Sequence, residues 1–316
     1  MKEASLRNNL AVVISSSYIL LFSSEYFFVN EEPSFSLIDL LTKDPAALFA
    51  LVEFTLFYGI PTYFMLMVIE SFALGDIYSL FLAASLYGWI LEGAIISQMY
   101  EALPWSISWT PLGWHGLVDV LFVWYFIPRV LRRYPLGYCF LLFSCMGLFW
   151  GTWACWFWKE GSHRIAAPDF LLFTFFTSTV LALAFLVLDR TQARFRTSKR
   201  ERLVISAFVL SIIFLQSIPY AFLPIILLLP LCSLSIFILW KGEAPKNEKI
   251  LPSKSVITPK AKLLTLLALP SCASLTYYFH FNNFRILPLL EVLPPLLLLA
   301  GFLVYLIAAM KLLLRH

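Results

Sequence analysis

The chain reads as an all-α protein: a polytopic transmembrane bundle of about ten spans, forming a single integral membrane domain with both termini in the cytoplasm. Three observations predict this. Of 316 residues, 60% are apolar and 13% charged, with mean hydropathy +0.82; soluble chains carry about 25% charged residues, and a chain this apolar cannot cover its own surface. Apolar runs near the 20 residues or so that cross a bilayer recur from end to end. Lysine and arginine are confined to the short stretches between those runs.

The runs fall at 9–29, 46–70, 77–100, 112–131, 135–158, 168–189, 203–218, 220–240, 263–281 and 287–310. The first follows Lys2 and Arg7. Its length, and the lack of a small-residue cleavage site after it, predict an uncleaved span. The stretch 203–240 breaks at Ser217-Ile218-Pro219, and charge decides that it is a hairpin. Cytoplasmic loops hold the excess of basic residues. With ten spans and an inside N-terminus, all 23 lysines and arginines lie inside except Lys43, Lys159, Arg164 and Arg285. One long span would put the two most basic loops on opposite sides. The loop 241–262 is polar and rich in Pro and Lys, which predicts a flexible cytoplasmic linker. No internal repeat is evident.

Composition also excludes function classes. A net charge of +4 with no basic face argues against nucleic-acid binding,. Cys139, Cys145, Cys155, Cys232 and Cys272 sit in apolar runs with no CxxC pair, so they read as small buried hydrophobes, neither a disulfide framework nor a metal or haem motif,. With only 12 glycines, close small-xxx-small helix packing is not expected,.

Orientation gives each ionisable residue a depth, since a helix rises 1.5 Å per residue. Glu25, Glu53, Glu92, Glu101, His115, Asp119, His280 and Glu291 fall in the outer half or at the outer ends of spans. Glu70 and Asp76 sit at an inner turn. Buried charge in a bilayer is costly, so such residues face a bundle interior or a wet cavity. Their shared depth predicts one polar cavity opening outward.

The segment 87–119 is densest: Tyr87, Trp89, Glu92 and Glu101, then Trp105 and Trp109, then Trp114, His115 and Asp119. His115 and Asp119, four apart, share a helix face, so Asp119 can orient the imidazole. Spans three and four are antiparallel neighbours, which lets Glu92 face them. Glu92, His115 and Asp119 are therefore the candidate catalytic set, with Glu92 as general acid or base. Glu53, Glu101, Trp109, Trp114, Trp153 and Arg164 are candidate substrate-binding residues. Arg164 suits a phosphate or carboxylate headgroup. The tryptophans, with Trp105, Trp150, Trp156 and Trp158, equally suit an interfacial belt, and the Glu-His-Asp set equally suits a structural network pinning two helices. No HExxH or HxxxH pattern marks a metal site, no GxSxG elbow marks a serine nucleophile, and no cofactor is expected.

Glu92 with His115-Gly-Leu-Val-Asp119 faintly resembles the intramembrane glutamate proteases of the CAAX-processing type. Those carry a Glu-Glu pair with a downstream Arg, a separate His, and His-x-x-x-Asn/Asp. Here Gly93 follows Glu92, no Arg lies one turn later and no middle His precedes His115, so no function is carried over. The expected function is a membrane-embedded hydrolase or transferase of the plasma or inner membrane, acting on a lipid or an amphipathic, lipid-like small molecule. A transporter or flippase coupled through the same acids is the first alternative, and an assembly subunit of a membrane complex the second. Membrane lipids are expected partners; nucleic acid is not.

Overall fold

A computed structural model describes residues 2–29, 31–43, 48–157, 165–242, 250–251, 258–280 and 288–315. Among them the secondary structure is entirely helical. Seven helices are long and apolar enough to cross a membrane: Leu51–Ser71, Ile77–Ile95, Trp105–Arg133, Leu136–Cys155, Ala167–Arg194, Pro224–Lys241 and Leu290–Leu313. The chain is thus a multi-pass integral membrane protein by length and composition of its helices.

The first helix, α1 (Lys2–Leu21), is not among the seven, and its surroundings explain why. It packs against α3 (Leu48–Ser71), α7 (Ala167–Thr191) and a helix at Trp109–Phe126. From Val12 to Phe27 every residue except Ile14 is buried. A helix wrapped by other helices has little lipid contact, so serines at 15, 16, 17, 23 and 24 are tolerated there. Ser15, Ser17 and Ser23 donate to carbonyls one turn back. Two further predicted runs are helical but also outside the seven: α8 (Lys199–Ser217), which opens on Lys-Arg-Glu-Arg, and the stretch of α10 (Lys260–Leu264) and α11 (Ala268–His280), interrupted by a tight turn at Thr265–Leu267. The hairpin break is present: α8 stops at Ser217, Ala221 and Phe222 take positive φ, and helix resumes at Pro224 as a π turn leading into α9 (Leu229–Lys241). An additional short helix, α2 (Glu31–Thr42), fills a segment the hydropathy left as loop.

Two helices begin at turns with clear caps. Ser198 caps α8 with Glu201 answering in a capping box. Asp76 caps α4 (Ile77–Ile90), accepting from the backbone N–H of Tyr78 (2.8 Å) and Ser79 (3.0 Å). The other Asp76 oxygen meets Arg315, at the end of α12 (Pro288–Leu313), at 2.9 Å. Burial alone pushes the Asp76 carboxyl up, but Arg315 and the two backbone donors outweigh it and hold it below its usual 3.8. Asp76→Ala is expected to cost about 1 kcal/mol, mostly through the lost cap. Because the folded-state pKa is depressed, the contribution is complete above 3.8 and fades as pH falls below it,. Unfolding midpoints of the two proteins in detergent, compared at pH 7 and at acid pH, check both parts.

Asp76 belongs to a polar end of the bundle. There Arg202 pairs with Glu70 (2.9 Å), Arg132 with Asp189, and Asn8 and Asn9 donate to the Thr191 and Arg196 carbonyls (3.2 and 2.7 Å). The loop 241–262 also returns here. Residues 243–249 and 252–257 lie outside the described residues, but the flanking pieces are docked, unlike a free linker. Ile250 and Leu251 are buried, Ile250 N–H donates to the Leu74 carbonyl (2.8 Å), and Thr258 N–H donates to Asp189 (2.9 Å).

Glycine packing is closer than its low count implies. On α6 (Leu136–Phe157), Gly147 and Gly151 form a small-xxx-small pair facing α11; a Cβ there would lie 2.4 Å from the Leu269 carbonyl oxygen and 2.3 Å from that of Ala273. Such contact is possible only between bare backbones.

Candidate functional site

Three helices change winding where they carry polar side chains. α1 continues as a π turn over Phe22–Tyr26, α4 as another over Leu91–Ile95, and Trp109–Phe126 is wound throughout with i→i+5 bonds before returning to α-helix as α5 (Ile127–Arg133). Wider π winding re-aims side chains and recurs at functional sites. Here the three segments bear Ser24 and Glu25, Glu92, and His115 and Asp119. Residues four apart still share a face in this winding, so His115 and Asp119 project together.

They converge on one imidazole. His115 Nε2 lies 2.8 Å from Glu92 Oε1, and Nδ1 lies 2.7 Å from Asp119 Oδ2. Ser24 Oγ is 3.4 Å from the same Nδ1. The Tyr58 hydroxyl of α3 bridges Ser24 Oγ, at 2.7 Å, and the Glu25 carboxylate. Tyr87 presents its ring edge-on to His115, centroids 5.8 Å apart. The side chains of His115, Glu92 and Asp119 are 3%, 5% and 0% exposed. The cluster is therefore closed and packed, where a wet outward-opening cavity was expected. With a carboxylate oxygen at each ring nitrogen, either the ring carries both protons or one carboxyl carries one. Two hydrogen bonds, one at each ring nitrogen, thus join Glu92, His115 and Asp119 in one line.

Three buried polar atoms of this cluster, Glu92 Oε2, Asp119 Oδ1 and the Tyr87 hydroxyl, have no hydrogen-bond partner among the described residues. Buried polar groups are nearly always paired. Among the described residues no group of three His, Cys, Asp or Glu is placed to hold a metal ion. The imidazole stands between the two carboxylates, so their oxygens do not converge with it on one point.

Tryptophans brace the segment that carries Ser24 and Glu25. Trp114, Trp150 and Trp153 donate their indole N–H to the carbonyls of Ser23 (3.2 Å), Tyr26 (2.9 Å) and Phe28 (2.8 Å). All three are buried, and Phe28 wedges against Trp114 at 4.4 Å. They are core residues that satisfy the carbonyls of an irregular helix end, where an interfacial belt was expected for Trp150 and Trp153. Trp105, 63% exposed, keeps an outward position. Trp109 is half-buried beside Phe28, 6.5 Å between rings.

Of the residues singled out from sequence, Glu92, His115 and Asp119 come together, and Trp114 and Trp153 form the adjoining wall. Glu53 and Glu101 are exposed and stand apart from the cluster. Arg164 and Trp158 lie outside the described residues, as does the side chain of Trp156. Sequence reasoning missed Ser24 and Tyr58 as members, and it named Glu25 and Tyr87 without assigning either to the candidate catalytic or binding set. Glu25 carried a usable signal, its depth matching that of Glu92; Tyr58 carried none. No family model, curated protein or solved structure matches this chain.

Proposed function

We propose that this protein is a membrane-embedded hydrolase or transferase acting on a lipid or lipid-linked substrate. In this reading the bundle has about ten spans, both termini are cytoplasmic, it resides in the cell's plasma or inner membrane, and the cluster lies in the outer half of the bilayer. Glu92 takes a proton from the attacking water or hydroxyl and returns it to the leaving group. His115 orients Glu92 and relays the proton, and Asp119 fixes the ring. Ser24, Tyr58 and Glu25 extend the hydrogen-bonded line.

The observation that carries the reading is the set of unpartnered buried atoms on Glu92, Asp119 and Tyr87 around one imidazole. A network built only to pin helices gains most when every member is satisfied. A reacting group needs a lone pair that no neighbour occupies, and Glu92 Oε2 supplies one. The test is Glu92→Gln, which keeps shape and one acceptor. Cells expressing the wild-type chain are expected to show a changed lipid class by mass spectrometry. Glu92→Gln should abolish that change with folded yield intact. An identical lipid profile at normal yield removes the enzyme reading.

A proton-coupled transporter or flippase is the second reading. It is favoured by the origin of the cluster in α1, α3, α4 and the helix at Trp109–Phe126, since protonation then alters contacts among four elements at once. It predicts that a single cysteine beside Glu92 is labelled from both faces of the membrane; an enzyme open to one leaflet is labelled from one.

A further inference from the structure

A second feature lies away from the cluster. An apolar groove enclosing about 440 Å³ runs between α1, α3 and α7, lined by Ala11, Ile14, Val52, Leu56, Leu183 and Val187 among others. This volume is within the range of small-molecule sites. The hydroxyls in its wall are already committed. Ser15 donates to the Ala11 carbonyl and Thr55 to that of Leu51, both at 2.7 Å, and Tyr18 donates to the Thr177 carbonyl at 3.0 Å. The groove therefore offers a guest dispersion contact and no polar anchor. A hydrocarbon chain matches that chemistry.

One end of the groove is different. Along α1 the stripe Tyr18, Ile14, Ala11 continues to Arg7, four residues on, the spacing of one helical face,. Along α7 the stripe Leu183, Val187 continues to Arg190 and, in the tight turn Gln192–Arg194, to Arg194. The two helices are antiparallel, and the Asn8 side chain donates to the Thr191 carbonyl at 3.2 Å, which brings both basic ends to the same level. Arg7 and Arg194 are exposed there. An apolar trough with a cationic rim is complementary to a molecule with a hydrocarbon tail and an anionic head. Basic pockets between spans on the cytoplasmic side hold such headgroups, and this is the end to which the basic residues of the chain gather.

We propose that this groove is a binding site for an anionic phospholipid, with an acyl chain between α1, α3 and α7 and the phosphate at Arg7 and Arg194. The site is independent of the proposed chemistry at Glu92. The full chain, purified in detergent, is to be equilibrated with equal amounts of phosphatidylglycerol and phosphatidylcholine, and retained lipid weighed by native mass spectrometry. Wild type is expected to favour phosphatidylglycerol by about tenfold, given the attraction of two surface arginines. The double variant Arg7→Gln, Arg194→Gln should lose that preference. Ile14→Trp and Leu183→Trp, at positions each 54% exposed and so tolerant of bulk, should lower retention of both lipids by filling the trough. Glu92→Gln should retain lipid like wild type, which separates failure of this proposal from failure of the enzyme reading. Equal retention of the two lipids by wild type, or a preference unaltered in the double arginine variant, means annular lipid only and overturns the proposal.

Discussion

His115→Ala is expected to lose most or all folded protein, a larger effect than any other single change in the bundle's polar set. The imidazole sits between two buried carboxyls at 2.8 and 2.7 Å, and its removal leaves both buried without that partner. Breaking one buried pair typically costs about 3–5 kcal/mol, and here one side chain serves two pairs. Whole-domain stability is only about 5–15 kcal/mol. Folded yield by size exclusion, and the unfolding midpoint of whatever survives, measure the loss. The cause is separable from simple loss of packing. Glu92→Gln with Asp119→Asn in the His115→Ala background removes the stranded charges and should recover much of the yield. A His115→Ala protein with a wild-type midpoint contradicts the clamp, and a triple variant no better than the single one assigns the loss to the cavity instead.

The same cluster shows what could be read from residue order and what could not. Depth was legible. Counting 1.5 Å per residue from charge-assigned ends put Glu92, His115 and Asp119 at one level, and they do meet. Azimuth was not legible. Glu53 has a comparable depth but projects outward from α3, while Tyr58, five residues on, projects into the cluster. Which way a helix is rotated depends on its neighbours, and hydrophobic periodicity cannot report it for spans that are apolar all round. The π winding was also silent, because i→i+5 bonding leaves no compositional trace. Yet that winding places Ser24, Glu25, Glu92, His115 and Asp119. For the tryptophans the sequence reading offered an interfacial belt or a substrate-binding wall, and left out the core. The carbonyls of residues 23, 26 and 28, left by the irregular end of α1, drew three indole N–H groups inward. Glycine misled for a related reason: close packing depends on which two residues face each other, and Gly147 and Gly151 suffice for α6 against α11 whatever the total.

Gly88 ties packing to the proposed chemistry most directly. It lies on α4 one turn before Glu92, against the start of the Trp109–Phe126 helix. A Cβ at this position would stand 2.1 Å from the Pro111 carbonyl oxygen and 2.8 Å from its Cα, where ordinary contact begins at 3.4 Å. Both obstacles are backbone, so no rotamer relieves the clash. The helices must part by about 1.3 Å,. Added to the 2.8 Å between Glu92 and His115, that separation exceeds any hydrogen bond,. Gly88→Ala is therefore expected to lower the unfolding midpoint, with overpacking costing about 1–3 kcal/mol or more, and to remove the lipid change as fully as Glu92→Gln does, although it touches no polar atom. Gly137→Ala is the matched control. Its Cβ meets nothing within 4 Å, and the same substitution there should leave the midpoint unchanged or raise it, as alanine favours helix over glycine by about 1 kcal/mol,. If Gly88→Ala behaves like Gly137→Ala, the close approach of α4 to Pro111 is not what holds Glu92 against His115.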